Sequence, residues 1–163
     1  MPRLVVLITA ALGATFVLAL GATLPGVVVS QFGLSGQPTS TMARGPFVAL
    51  MAVLTAGVPV LSYWLQARKA AAGSAKIRHA AHWFAAGRRE ATVRWLGWHA
   101  ALFSVATTVF MGFVFWLVAS AHAGGALPTL PQFAFTAGLV AYLVFTVAWV
   151  TALHLRFRRP VAD

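Results

Sequence analysis

The chain has 163 residues, 60% of them hydrophobic and 9% charged, with a mean hydropathy of +0.84; soluble domains carry about a quarter charged residues, so a soluble globular class is excluded and a membrane protein is indicated. Twelve Lys and Arg face two acidic residues, Glu90 and Asp163, for a net charge of +10. The basic residues bracket apolar runs instead of striping a polar face, which excludes nucleic acid as a partner and fits retention beside an anionic leaflet.

Cysteine is absent, which removes disulfides, thiolate nucleophiles and Cys-ligated zinc or iron–sulfur clusters. At the N-terminus, Met1-Pro2-Arg3 before an apolar run has the layout of a signal peptide, with Ala19-Leu20-Gly21 as a small-residue cleavage site. Residues 4–22 are long for such a region, covering about 28 Å as a helix, and this favours a retained first span. Gly13 and Gly21, with Ala10, Ala14 and Ala22, offer small surfaces for close helix contact.

Residues 23–45 are interrupted by Pro25, Gly26, Gly33, Gly36, Pro38 and Gly45 and form a loop. Within it Val27, Val28, Val29 and Phe32 predict a short extended segment against the membrane face, and Gly36-Gln37-Pro38 a turn. Arg44, the loop's one charge, either contacts a lipid phosphate or a partner, or merely ends the loop. Pro46 opens a second span over 47–66, with Tyr63 and Trp64 at its far end. Pro59 predicts a kink there, with Thr55 available to satisfy the freed carbonyls.

Seven of the twelve basic residues lie in 68–94: Arg68, Lys69, Lys76, Arg78, Arg88, Arg89 and Arg94. Ile77, Ala81, Phe84 and Ala85 share one helical side with Arg78, His82 and Arg89 opposite, which predicts an interfacial helix before the third span. Gly87 separates it from a second helix starting near Arg88. The third span, 95–120, carries Trp95, Trp98 and Trp116 at interface positions. A hinge over 121–131, with Gly124, Gly125, Pro128 and Pro131, leads to a fourth span over 132–155 and a tail with Arg156, Arg158, Arg159 and Pro160.

Eleven Lys and Arg fall on one side of these spans and Arg44 alone on the other, so the basic side is inside. The expected fold is therefore an all-α single domain of four transmembrane helices, both termini cytoplasmic, in a bacterial inner membrane. Leu24-Pro25, Gln31-Phe32-Gly33, Ser35-Gly36-Gln37-Pro38 and Arg44 before an apolar run resemble the loop pattern of the membrane proteins grouped as domain of unknown function 1648. Trp83, Ala85, Arg88-Arg89 and Thr92 resemble the W-x-A-x-x-RR-x-x-T segment some relatives carry before their third helix. Two positions depart from the pattern: Gln31 stands where the family usually has His, and Ala86-Gly87 where relatives often have Pro-Glu. The resemblance implies an integral bacterial membrane protein, in some members acting in toxin immunity and signalling, and supplies no catalytic residues.

Paired-carboxylate catalysis is excluded, because Glu90 sits in the basic stretch and Asp163 at the end of the chain, and no spacing suggests a Ser-His-acid group. His79 and His82 have no third ligand and are expected at headgroups. His99 and His154 fall at similar depth near the inner ends of the third and fourth spans, where they either ligate a haem as axial imidazoles or hydrogen-bond at the interface. Glu90 reaches Arg94 at i,i+4 spacing, as a surface ion pair or as a means of fixing an arginine for an anionic lipid or partner. Lipid or partner contact is thus expected at Arg44, Trp83, Arg88, Arg89, Glu90 and Arg94. No enzyme activity and no cofactor are expected. With no charge inside any span, the leading expectation is an accessory or stabilising subunit contacting lipid and other integral membrane subunits. A sensing or toxin-immunity protein using 25–44 is the alternative, and a haem- or pigment-contacting subunit the third.

Overall fold

An apolar run removed from water has only its own carbonyls to pair its amides with, and the four runs are all helical. The structure, a computed structural model, describes residues 1–33, 35–123 and 128–158. It is 73% helical. Four helices are long and apolar enough to cross a membrane: Pro2–Gly21, Arg44–Ala71, Arg89–His122 and Gln132–Arg156. The elements in order are α1 (Pro2–Gly21), β1 (Val27–Phe32), β2 (Pro38–Ala43), α2 (Arg44–Ala52), a π-helical turn (Val53–Gly57), α3 (Val58–Ala71), α4 (Ala80–Trp83), α5 (Arg89–His122) and α6 (Gln132–Arg156).

Besides the helices, an antiparallel hairpin joins the first two spans, pairing Val27 with Ala43 through Phe32 with Pro38 and irregular around Gln31. The extended segment expected at Val27 to Val29 acquires a partner strand because the Gly-rich turn folds 38–43 back on it. Gly36 is required at that turn: its φ is +76°, and a Cβ there would approach the Leu130 carbonyl oxygen to 2.9 Å. The Leu130 amide donates to Gly36 O at 3.2 Å, which holds the turn against the segment entering α6.

The second span meets Pro59 through a π-helical turn, Val53–Gly57. Ahead of Pro59 the hydrogen-bond ladder slips by one residue, so that the Val58 amide reaches Val53 O. The Pro59 carbonyl accepts from Ser104 Oγ of α5 at 2.9 Å. Thr55, which was expected to supply the compensation, is fully buried with no partner on its Oγ1.

Gly13 lets α1 approach closely, since a Cβ there would come within 2.8 Å of Thr108 Cγ2 and 3.1 Å of Thr55 Cγ2. Around this crossing the apolar core divides by depth. At the hairpin end Val17, Val28, Phe47, Phe115 and Val118 pack together; Val6, Tyr63, Ala100 and Ala101 follow; Ala70, Trp83, Leu96 and Phe157 close the basic end.

The interfacial helix expected from Ile77 is also corrected. Only Ala80–Trp83 is helical, because His79 takes a left-handed φ of 55° and Gly87 a φ of 86° on either side of it. Ile77 and Phe84 still face the core, packed on the basic-end cluster. The helix expected near Arg88 begins at Arg89 and runs through to His122, six residues earlier than the span boundary at its start and past Ala121 of the expected hinge. Gly124, Gly125, Arg159, Pro160 and Asp163 lie outside the described residues.

Candidate functional site at the basic end

The segment between α3 and α5 is rich in cations and poor in regular structure, so its backbone groups need partners from side chains. Thr92 Oγ1 donates to Trp83 O at 2.9 Å, Arg88 Nε to His82 O at 3.3 Å, and Arg89 Nη2 to Ala71 O at 2.8 Å. Three of the residues singled out by spacing, Trp83, Arg88 and Arg89, therefore converge with Thr92 on one folded cap. Trp83 is buried, edge-on to Phe157 at 5.3 Å, with the Arg156 guanidinium 5.0 Å from its ring centre.

From this cap an aromatic column runs into the bundle. Trp95 meets Phe157 edge-on at 5.3 Å and stacks on His99 at 4.6 Å; the other face of His99 stacks on Trp149 at 4.3 Å, and Trp149 lies 4.7 Å from Phe103. Trp149 Nε1 donates to His99 O at 2.8 Å, which fixes α6 against α5 at this depth. His99 Nε2 is buried with no partner. His154 points elsewhere: five residues beyond Trp149 it lies about 140° around the helix, exposed, with Nδ1 against its own Val150 O at 2.8 Å. His99 and His154 are not drawn into one pocket, since the cavity that His99 lines does not include His154.

The other expected contacts resolve as follows. Glu90 and Arg94 form the i,i+4 pair at 3.6 Å with both side chains largely exposed, a geometry contributing at most about 1 kcal/mol. Arg44 turns inward, its Nη1 donating to Leu24 O at 3.0 Å and Ala22 O at 3.4 Å, where α1 ends and its carbonyls need donors. His79 is exposed, and His82 meets Trp83 edge-on at 5.1 Å.

Trp149, Phe157 and His122 were not singled out by the sequence. Their partners lie far away in the chain, and no local pattern distinguishes them from ordinary interface aromatics.

These features define a four-helix chain of membrane-length spans with one folded, cation-rich end and an ordered hairpin at the other. No group of three or more His, Asp or Glu able to hold a metal occurs among the described residues. Comparison with protein-family models, curated proteins and solved structures returned no match.

Proposed function

We propose that the protein is a non-catalytic integral protein of a bacterial inner membrane, with both termini cytoplasmic, that serves as an accessory or stabilising subunit of a larger membrane complex. The observation that carries this reading is α6: an apolar helix of 25 residues in which not one residue is buried. Its fastenings to the rest of the chain include Tyr142 OH to Thr107 Oγ1 at 2.8 Å, the Tyr142 ring on Phe110, the Trp149 contact, Leu153 on the basic-end cluster, and Gly138 against the Phe113 ring. Val140, Leu143, Val144 and Val147 remain exposed along it. Lipid covers such an apolar face as well as protein does, and the reading rests on this face being open to a second integral subunit. The excess of basic residues at the capped end supports its placement on the cytoplasmic side, and the resemblance to the domain of unknown function 1648 group supports a bacterial membrane setting.

A photo-crosslinking residue at Val144, followed by purification in mild detergent, tests this. The expected result is one integral partner chain crosslinked at Val144 and co-migrating at a fixed ratio. A chain that migrates alone and crosslinks only lipid overturns it.

The hairpin favours a second reading, a sensing or toxin-immunity protein. β2 is exposed along nearly its whole length, and a two-stranded ribbon presents free edges to an extended peptide. Unchanged sensitivity of a deletion strain across a toxin panel removes this reading.

A further inference from the structure

Beside the aromatic column lies a partly open cavity of about 260 Å³, lined by residues of α3, the segment after it, α5 and α6. Its wall is apolar, formed by Ala70, Ile77, Leu96, Trp149 and Leu153, while Lys69 and Lys76 line it together with Gln66 and Ser74. Of the other polar groups lining it, Ser74 Oγ donates to Lys69 O at 3.3 Å and Gln66 Nε2 to Ser62 Oγ at 3.1 Å, while His99 Nε2 is buried with no partner. Among the described residues the two ammonium groups are committed to no acid. Glu90, the one carboxylate among the described residues, is paired with Arg94, and neither lysine forms an ion pair there.

We propose that this cavity binds the anionic head of an amphiphile, a phosphate or carboxylate between Lys69 and Lys76, with the adjoining aliphatic portion against Ile77, Leu96 and Leu153. A neutral apolar ligand would leave both cations facing it without a counter-charge, and a cation would be repelled. A small hydrophilic anion would leave the apolar wall in contact with water. An amphiphilic anion satisfies the cations and the wall together. The site rests on the membrane placement proposed above, which brings the cavity to headgroup level, where an acidic phospholipid and a free fatty acid both present this chemistry.

The full chain purified in a neutral detergent, with ligand retention counted by native mass spectrometry, tests the proposal. Dioleoylphosphatidate, oleate, dioleoylphosphatidylcholine and inorganic phosphate serve as separate probes. The expected result is one tightly retained equivalent of dioleoylphosphatidate or of oleate, and the stronger of the two identifies the source. Lys69→Gln with Lys76→Gln should weaken retention about thirtyfold, each lysine supplying about the fivefold expected beside an anionic head. Arg78→Gln, outside the cavity, should leave it unchanged. Ala75→Phe keeps both lysines and fills the cavity, and should abolish retention in protein that stays helical. Equal retention of phosphatidylcholine, binding of inorganic phosphate as tight as that of the amphiphiles, or indifference to both the lysine and the filling variants would overturn the proposal. A chain missing from the membrane fraction would instead overturn the membrane placement, which the same preparation reports first.

Discussion

His122 Nε2 accepts a hydrogen bond from the Val29 amide at 3.0 Å, tying the hairpin to the end of the third long helix across 93 residues of sequence. Nδ1 lies 2.7 Å from Val118 O, one turn back on its own helix. A carbonyl only accepts, so Nδ1 carries the hydrogen and Nε2 is the acceptor for the Val29 amide, which sets the tautomer. Val29 is buried, so its amide has no ready alternative partner. His122→Phe keeps the ring and removes both bonds. The loss is about 1 kcal/mol for a neutral hydrogen bond of this kind, more if the amide stays dry. Hydrogen exchange at Val29 should accelerate by about tenfold while the middle of α5 stays protected; unchanged exchange would show that the hairpin is held by its other contacts.

The basic-end cap makes a sharp contrast between two polar side chains two residues apart. Thr92 is buried and its hydroxyl serves Trp83 O, whereas Glu90 is exposed and pairs only with Arg94. Thr92→Val preserves shape but leaves a buried carbonyl without its donor, at about 1–3 kcal/mol. Glu90→Gln should stay within about 0.5 kcal/mol. Thermal unfolding in one detergent, comparing the two variants, checks the order.

Arg88 and Arg89 bridge to backbone carbonyls at either end of the cap segment. Replacing both with Gln should loosen that segment, made visible as faster chymotryptic cleavage after Trp83 and Phe84. Insertion should keep its orientation, because nine basic residues (eleven minus two) still oppose Arg44. An inverted orientation would show that this pair, rather than the whole cluster, sets the topology.

Orientation itself is read at Ser35, exposed on the hairpin turn. In a chain with no native cysteine, Ser35→Cys should react with an impermeant thiol reagent from the periplasmic side of intact spheroplasts. Protection there, with labelling only after permeabilisation, would reverse the proposed placement.

Much of this architecture is local physics. Each span announces itself through a continuous apolar run, since hydropathy sums along the chain whatever the neighbours, and the runs predicted at 47–66 and 132–155 lie inside helices of 28 and 25 residues. The turn at Gly36 is legible for the same reason: a left-handed backbone demands a residue without a Cβ wherever it occurs. The break at Pro59 is readable from proline's missing amide, but the hydrogen bond from Ser104 Oγ to the Pro59 carbonyl is not, because Ser104 lies 45 residues further on.

The sequence by itself determined four membrane-length helices, a cationic end and an ordered connecting loop, because apolar length, charge clustering and glycine turns act over a few neighbouring residues. Only the tertiary structure decided what the polar side chains do. Arg44, Arg88 and Arg89, legible as free cations for lipid or partner, turn to backbone carbonyls of other segments. His99 lies between two indoles from different helices, and His122 joins a helix end to a strand. The partner in each case is whichever group the packing brings alongside, and packing depends on contacts that no short stretch of sequence specifies.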